Sequence, residues 1–116
     1  MKKLIFLIIM LFTLQSCYND NEEDLYGPVL CDTADITYSE DVAPIINSSC
    51  ATSGCHVAGG TGPGNFTVFS ELLAKVNNGS FENRVLVQKT MPPGTALINC
   101  ELDILQTWMD NGAPNN

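Results

Sequence analysis

Residues 48–60 read SSCATSGCHVAGG and contain His56, the single histidine of the 116-residue chain. It follows Cys55 directly and lies six residues after Cys50. Just beyond it, AGGTGPGNF (58–66) is a glycine-rich loop, which needs unusual backbone angles or close approach to something bulky. The stretch is therefore a loop that carries two thiols and an imidazole. The fold has to be built around it by the segments on either side.

Those segments read as helices. In TYSEDVAPIINSSC (37–50), Thr37 and Glu40 have capping-box spacing. Asp41 is a rival cap, one that would place Pro44 in the first turn, where its missing N–H is harmless. Val42, Ile45 and Ile46 then share a face just before Cys50. VFSELLAKV (68–76) predicts a short second helix bounded by NNGS, and FENRVLVQ (81–88), ambiguous between helix and strand, is taken as a short helix. TMPPG (90–94) must be extended or turning, because a residue before proline avoids the helical region. In NCELDILQTWMDNGAP (99–114), Asn99 is the expected cap, and Ile104, Leu105, Trp108 and Met109 form one apolar stripe. Gly112 and Pro114 stop that helix. The expected class is small and all-α, with three or four helices.

The N-terminus reads as an address. Lys2 and Lys3 precede a continuous apolar run, LIFLIIMLFTL (4–14), too short for the ~20 residues of a mature spanning helix but suited to a signal peptide. It ends in LQSC, which resembles a bacterial lipobox. The resemblance implies a leader over 1–16, with Cys17 lipidated as the first mature residue. Removing 16 of 116 residues leaves 100, enough for one small domain. It also removes two of the five basic residues, so that Lys75, Arg84 and Lys89 face 13 acids, a formal charge of −10. Nucleic acid is a poor partner for such a surface, and a protein with a basic patch a good one. Residues 17–33 hold Asp20, Glu22, Glu23 and Asp24 and read as an acidic tether. An acidic run behind the lipidated cysteine resembles the surface-export signal of Bacteroidetes lipoproteins. Cell-surface display and a periplasm-facing outer-membrane position both fit. The globular domain is expected over 34–116.

Five cysteines in so short an exported chain are informative. With Cys17 lipidated, Cys31, Cys50, Cys55 and Cys100 remain, and four cysteines allow three pairings. They could all be staples, as Cys50–Cys55 and Cys31–Cys100. They could bind zinc, through Cys50, Cys55, His56 and one more cysteine. Or Cys50 and Cys55 could carry covalent haem and leave Cys31 and Cys100 to bridge the ends of the domain. An oxidising compartment disfavours zinc.

Covalent haem needs two thiols to add across the porphyrin vinyl groups and a histidine directly after the second thiol to reach the iron. The usual spacing is C-x-x-C-H; here it is C-x-x-x-x-C-H, CATSGCH. The Cys–His adjacency is kept, and the extra residues are small enough to bulge. Electron-carrying c-type sites commonly pair histidine with a thioether. Met91, in its proline-stiffened loop, is the candidate, whereas Met109 on the last stripe reads as core.

The run from Tyr38 to Pro114 also resembles the cytochrome c domain family. The matching pieces are YSEDVAPII, C…CH, GNF before the second helix, NRVLVQKTMPPG, and ELDILQTWMDNGAP, in that order. The resemblance implies a cytochrome c-like fold around one haem c. Cys50 and Cys55 would form thioethers, His56 would be the proximal ligand and Met91 the distal one, and the Trp108 helix would pack on the first helix beside the haem edge. Cys31 and Cys100 lie outside the family pattern. Because the family packs those two helices together, a bridge between them is sterically reasonable. The function implied is electron transfer by a monomeric lipoprotein, held to the membrane through Cys17 and meeting redox proteins transiently. It is not an enzyme, since the chain offers no distal histidine or arginine of the kind a peroxidase uses. The rival expectation is a haem-free, disulfide-stapled interaction module.

Overall fold

Thr37 starts the first helix. Its backbone is extended and its hydroxyl accepts from the Glu40 N–H at 3.3 Å, while the Asp41 carboxylate reaches back to the Thr37 N–H at 2.8 Å. The cap is thus Thr37, with Asp41 rather than Glu40 closing the box. The physical reason is the wide first turn, in which the Val42 N–H as well as that of Asp41 points at the Thr37 carbonyl. Helix α1 (residues 38–50) runs as a π turn Tyr38–Val42, an α turn Ala43–Ile45 and a second π turn Ile46–Cys50. Pro44 therefore lies inside the helix and not in its first turn. Its ring is exposed, as are Ser39 and Glu40 in the turn below, so water can reach the carbonyls that its missing N–H leaves free.

The computed structural model describes residues 31–116, which form one compact unit. The expected leader over 1–16, the lipid-bearing Cys17 and the acidic run up to residue 30 lie outside the described residues. Three more helices follow α1: α2 (Phe69–Asn77), α3 (residues 80–87, an α turn Ser80–Glu82 continuing as a π turn Asn83–Val87) and α4 (Asn99–Asp110). Among the described residues there is no strand. FENRVLVQ is helical because Phe81 and Val85, four residues apart, are both buried on one face. Helix α4 is capped one residue earlier than expected, at Ile98. The Glu101 carboxylate accepts the Ile98 N–H at 3.0 Å, so Asn99 is free to enter the helix.

The helices meet in an aromatic cluster. Tyr38 of α1 meets Phe69 of α2 edge-on with centroids 4.7 Å apart, and lies 5.8 Å from Trp108 of α4. Trp108, Leu105, Leu72, Ile46 and Val42 are fully buried, and Ile104 and Met109 pack against them, as the apolar stripe predicts. The indole N–H of Trp108 donates to the Pro114 carbonyl at 2.9 Å, so the ring is buried without an orphaned donor and the chain end folds back over it.

Cys31 and Cys100 are joined by a disulfide with a Cα–Cα separation of 5.3 Å, spanning 69 residues. It ties the start of the unit to the first turn of α4. Disulfides persist in oxidising compartments, so the bridge fits an extracytoplasmic chain. Among the described residues no helix is long and apolar enough to cross a membrane. Replacing both cysteines (C31A/C100A) is expected to cost on the order of 4 kcal/mol by releasing a loop of this size in the unfolded chain. Urea midpoints followed by circular dichroism measure it; coincident midpoints for the two chains would contradict it.

Candidate cofactor site

The last π turn of α1 ends at Cys50, which is buried, and the chain leaves the helix at Ala51. The four residues between the thiols form a turn: the Cys55 N–H donates to the Thr52 carbonyl at 3.0 Å, and Thr61 donates both its N–H and its hydroxyl to the Gly54 carbonyl. His56 is pinned on both sides of its backbone. Its N–H donates to the Cys50 carbonyl at 3.2 Å, and its carbonyl accepts from the Phe66 N–H at 2.9 Å. The loop thus starts and ends on the same histidine.

The imidazole lies flat on Phe66, with centroids 4.0 Å apart and planes 4° from parallel. The backbone of Gly62 also comes close to the ring, so that a Cβ there would lie within 2.7 Å of Nδ1; at Gly60 a Cβ would overlap the Cys55 carbonyl. These two glycines are needed for close approach, and the bulky object they approach is the protein's own Cys55–His56 pair. The Nδ1 atom of His56 is buried and has no hydrogen-bond partner. An orphaned buried nitrogen costs about 1–3 kcal/mol, so it calls for a physical reason.

Met91 arrives from the other side. The Arg84 carbonyl, in the π turn of α3, accepts from the Thr90 N–H at 2.9 Å and the Met91 N–H at 3.2 Å. Between them the chain turns at Lys89, which has φ 51°. The Met91–Pro92 peptide is cis. Met91 is 37% exposed, as an unengaged thioether at a cleft mouth would be, whereas Met109 packs on the core.

Cys50, Cys55, His56 and Met91 line one cleft of about 470 Å³, within the ~300–1,000 Å³ typical of small-molecule and cofactor sites. Phe66, Phe81, Val85, Pro92 and Pro93 make much of its wall apolar. Cys50 and Cys55 are both free thiols. Two cations, Lys75 and Arg84, also line the cleft. Neither they nor the stacking role of Phe66 are evident from the sequence. The only available signal was the scarcity of basic residues, which makes each one worth locating. A zinc centre would need a further cysteine beside Cys50, Cys55 and His56, but the remaining pair is bonded to itself. Among the described residues, no three His, Cys, Asp or Glu side chains cluster to hold a metal.

The two thiols differ. Burial, then the negative charges of Glu101 and Cys55, push the Cys50 thiol up to about 11. At pH 8 that leaves about one part in a thousand as the reactive thiolate. The chain matches no family model, and no match was found among curated proteins or solved structures. In the cofactor-free protein at pH 8, iodoacetamide is expected to label half-buried Cys55 well before Cys50. Timed peptide mass spectrometry reads the order, and equal rates would contradict it.

Proposed function

We propose that the chain is an electron-transfer lipoprotein of the c-type cytochrome kind, holding one haem c in this cleft. The observation that carries the reading is the convergence of Cys50, Cys55, His56 and Met91 on one largely apolar cleft, with the two thiols unbridged. These residues fit the group. Cys50 and Cys55 would hold it through thioethers, by addition of each S–H across a vinyl double bond, which consumes no oxidant. His56 and Met91 supply an imidazole and a thioether, the donor pair common in electron-carrying c-type sites.

When bound, the haem supplies a one-electron ferric–ferrous couple. The rest is done by the chain. Phe66 and Gly62 fix the imidazole plane, so the histidine reorganises little between redox states. The Arg84 carbonyl fixes the backbone of Met91, and Pro92 and Pro93 stiffen the loop beyond it. Phe81 and Val85 keep water from one wall. With haem bound, pairing a thioether with the histidine would raise the potential relative to harder ligands. The helical unit, the GNF turn before α2 and the packing of α4 on α1 through Trp108 and Tyr38 are consistent with a cytochrome c-like topology. An acidic chain favours transient, salt-sensitive encounters with basic redox proteins. A lipid on Cys17 would hold the monomer at the outer membrane, facing the periplasm or the cell surface.

The optical spectrum of the chain matured in a c-type-competent host tests this. Sharp reduced bands, haem resistant to acid–acetone and a weak red-end band in the oxidised protein are expected. That band should vanish in Met91→Ala, leaving a high-spin spectrum. A colourless protein from a host that matures a control cytochrome would select the haem-free stapled module instead. A high-spin wild-type spectrum would indicate an open position for ligand binding or peroxide chemistry.

A further inference from the structure

After residue 16 the chain has three side-chain cations against 13 acids, yet Lys75 of α2 and Arg84 of α3 both line the same cleft. None of the residues lining it is Asp or Glu. Two of those three cations thus stand on the lining of one cleft, with the carboxylates of Glu71 and Glu101 near it but not on its lining, so an anion entering the cleft meets two cationic partners. Among the described residues, neither the Lys75 ammonium nor the Arg84 guanidinium has a hydrogen-bonded acidic partner. Glu71, one turn before Lys75, instead accepts the Asn65 N–H at 2.7 Å. What holds the Met91 loop is the backbone carbonyl of Arg84, so the guanidinium takes no part in holding it.

We infer that Lys75 and Arg84 form a carboxylate-recognition site on the cleft, and that they take the propionates of the haem. This rests on the haem reading above. The two cations suit the task differently. Arginine offers a planar fork to a carboxylate, and lysine a compact point charge. Arg84 is a positioning residue for Met91 as well: its backbone carries the Thr90 and Met91 N–H bonds, so fixing its side chain on a carboxylate fixes the loop that presents the thioether. Pairing also tunes the couple. A carboxylate beside a cation stays ionised, and its negative charge is offset, so the oxidised state gains less from it.

The test is the pH dependence of the reduction potential of the matured, full-length holoprotein. The other ionisable groups facing the cleft are Cys50, Cys55 and His56, all engaged by the bound group, with Glu71 beside Gly64 and Glu101 acting on Cys50 from α4. For the wild type, a level potential is expected from about pH 5 to 8, because paired propionates titrate below that range. K75Q/R84Q should have a lower potential that falls further as pH rises through this range, where an unpaired propionate loses its proton. K75R/R84K should restore the level profile. A red, low-spin K75Q/R84Q protein with the wild-type potential and profile would overturn the inference while leaving the haem reading intact. Should the double variant fail to hold haem, K75Q and R84Q singly should each show a partial slope, and level profiles in both would overturn it. A colourless wild type would take both readings down together.

Discussion

An imidazole lying flat on Phe66 with the Gly62 backbone against its edge is the contact around which this small structure is organised. It fixes where the loop must go. The backbone leaves α1 at Cys50, pairs with His56 at once, circles through Gly60 and Gly62, and returns to His56 at Phe66 before α2 can start. Any side chain at position 62 would enter the space of the ring. The arrangement leaves one polar atom, Nδ1, buried without a partner, in a structure that otherwise satisfies even the Trp108 indole. Local departures of this kind concentrate at functional sites, because elsewhere they bring only cost.

The helices supply the rigid frame for that loop. Tyr38, Phe69 and Trp108 draw α1, α2 and α4 together, and the Cys31–Cys100 bridge holds the first turn of α4 to the start of the unit. Helix α3 faces the loop across the cleft. Two of its residues, Phe81 and Val85, form wall, while the carbonyl of Arg84 holds the strap that carries Met91. The interior stays open between these parts because the strap is proline-stiffened and the His56 loop is held by its own hydrogen bonds. Neither can collapse inward.

Much of this was legible in the sequence where local rules decide it. Apolar spacing located α1 and α4 and the bounding NNGS turn located α2, whereas FENRVLVQ is ambiguous in the sequence and is settled as helix by the burial of Phe81 and Val85 on one face. Thr37 capped as its type and spacing imply. Cap details went astray where a side chain from within the helix took over: Asp41 displaced Glu40, and Glu101 satisfied Ile98 so that Asn99 was not needed. The rival cap at Asp41, which would put Pro44 in the first turn, is ruled out by the Thr37 cap and the wide π turn that follows it. At the site, the chemistry-bearing residues announced themselves by type, whereas their supports did not. The Phe66 stack, the closeness of Gly62 and the gathering of Lys75 with Arg84 are tertiary facts, made by helices that approach one another from distant parts of the chain.

The central claim is covalent, and it is most directly tested by the mass of the peptide containing Cys50 to His56 from protein matured in a c-type-competent host. The expected result is a single species heavier by one haem, with no alkylatable thiol and no haem released by acid–acetone. The contradicting result is the bare peptide lighter by a pair of hydrogens, with Cys50 and Cys55 joined to each other.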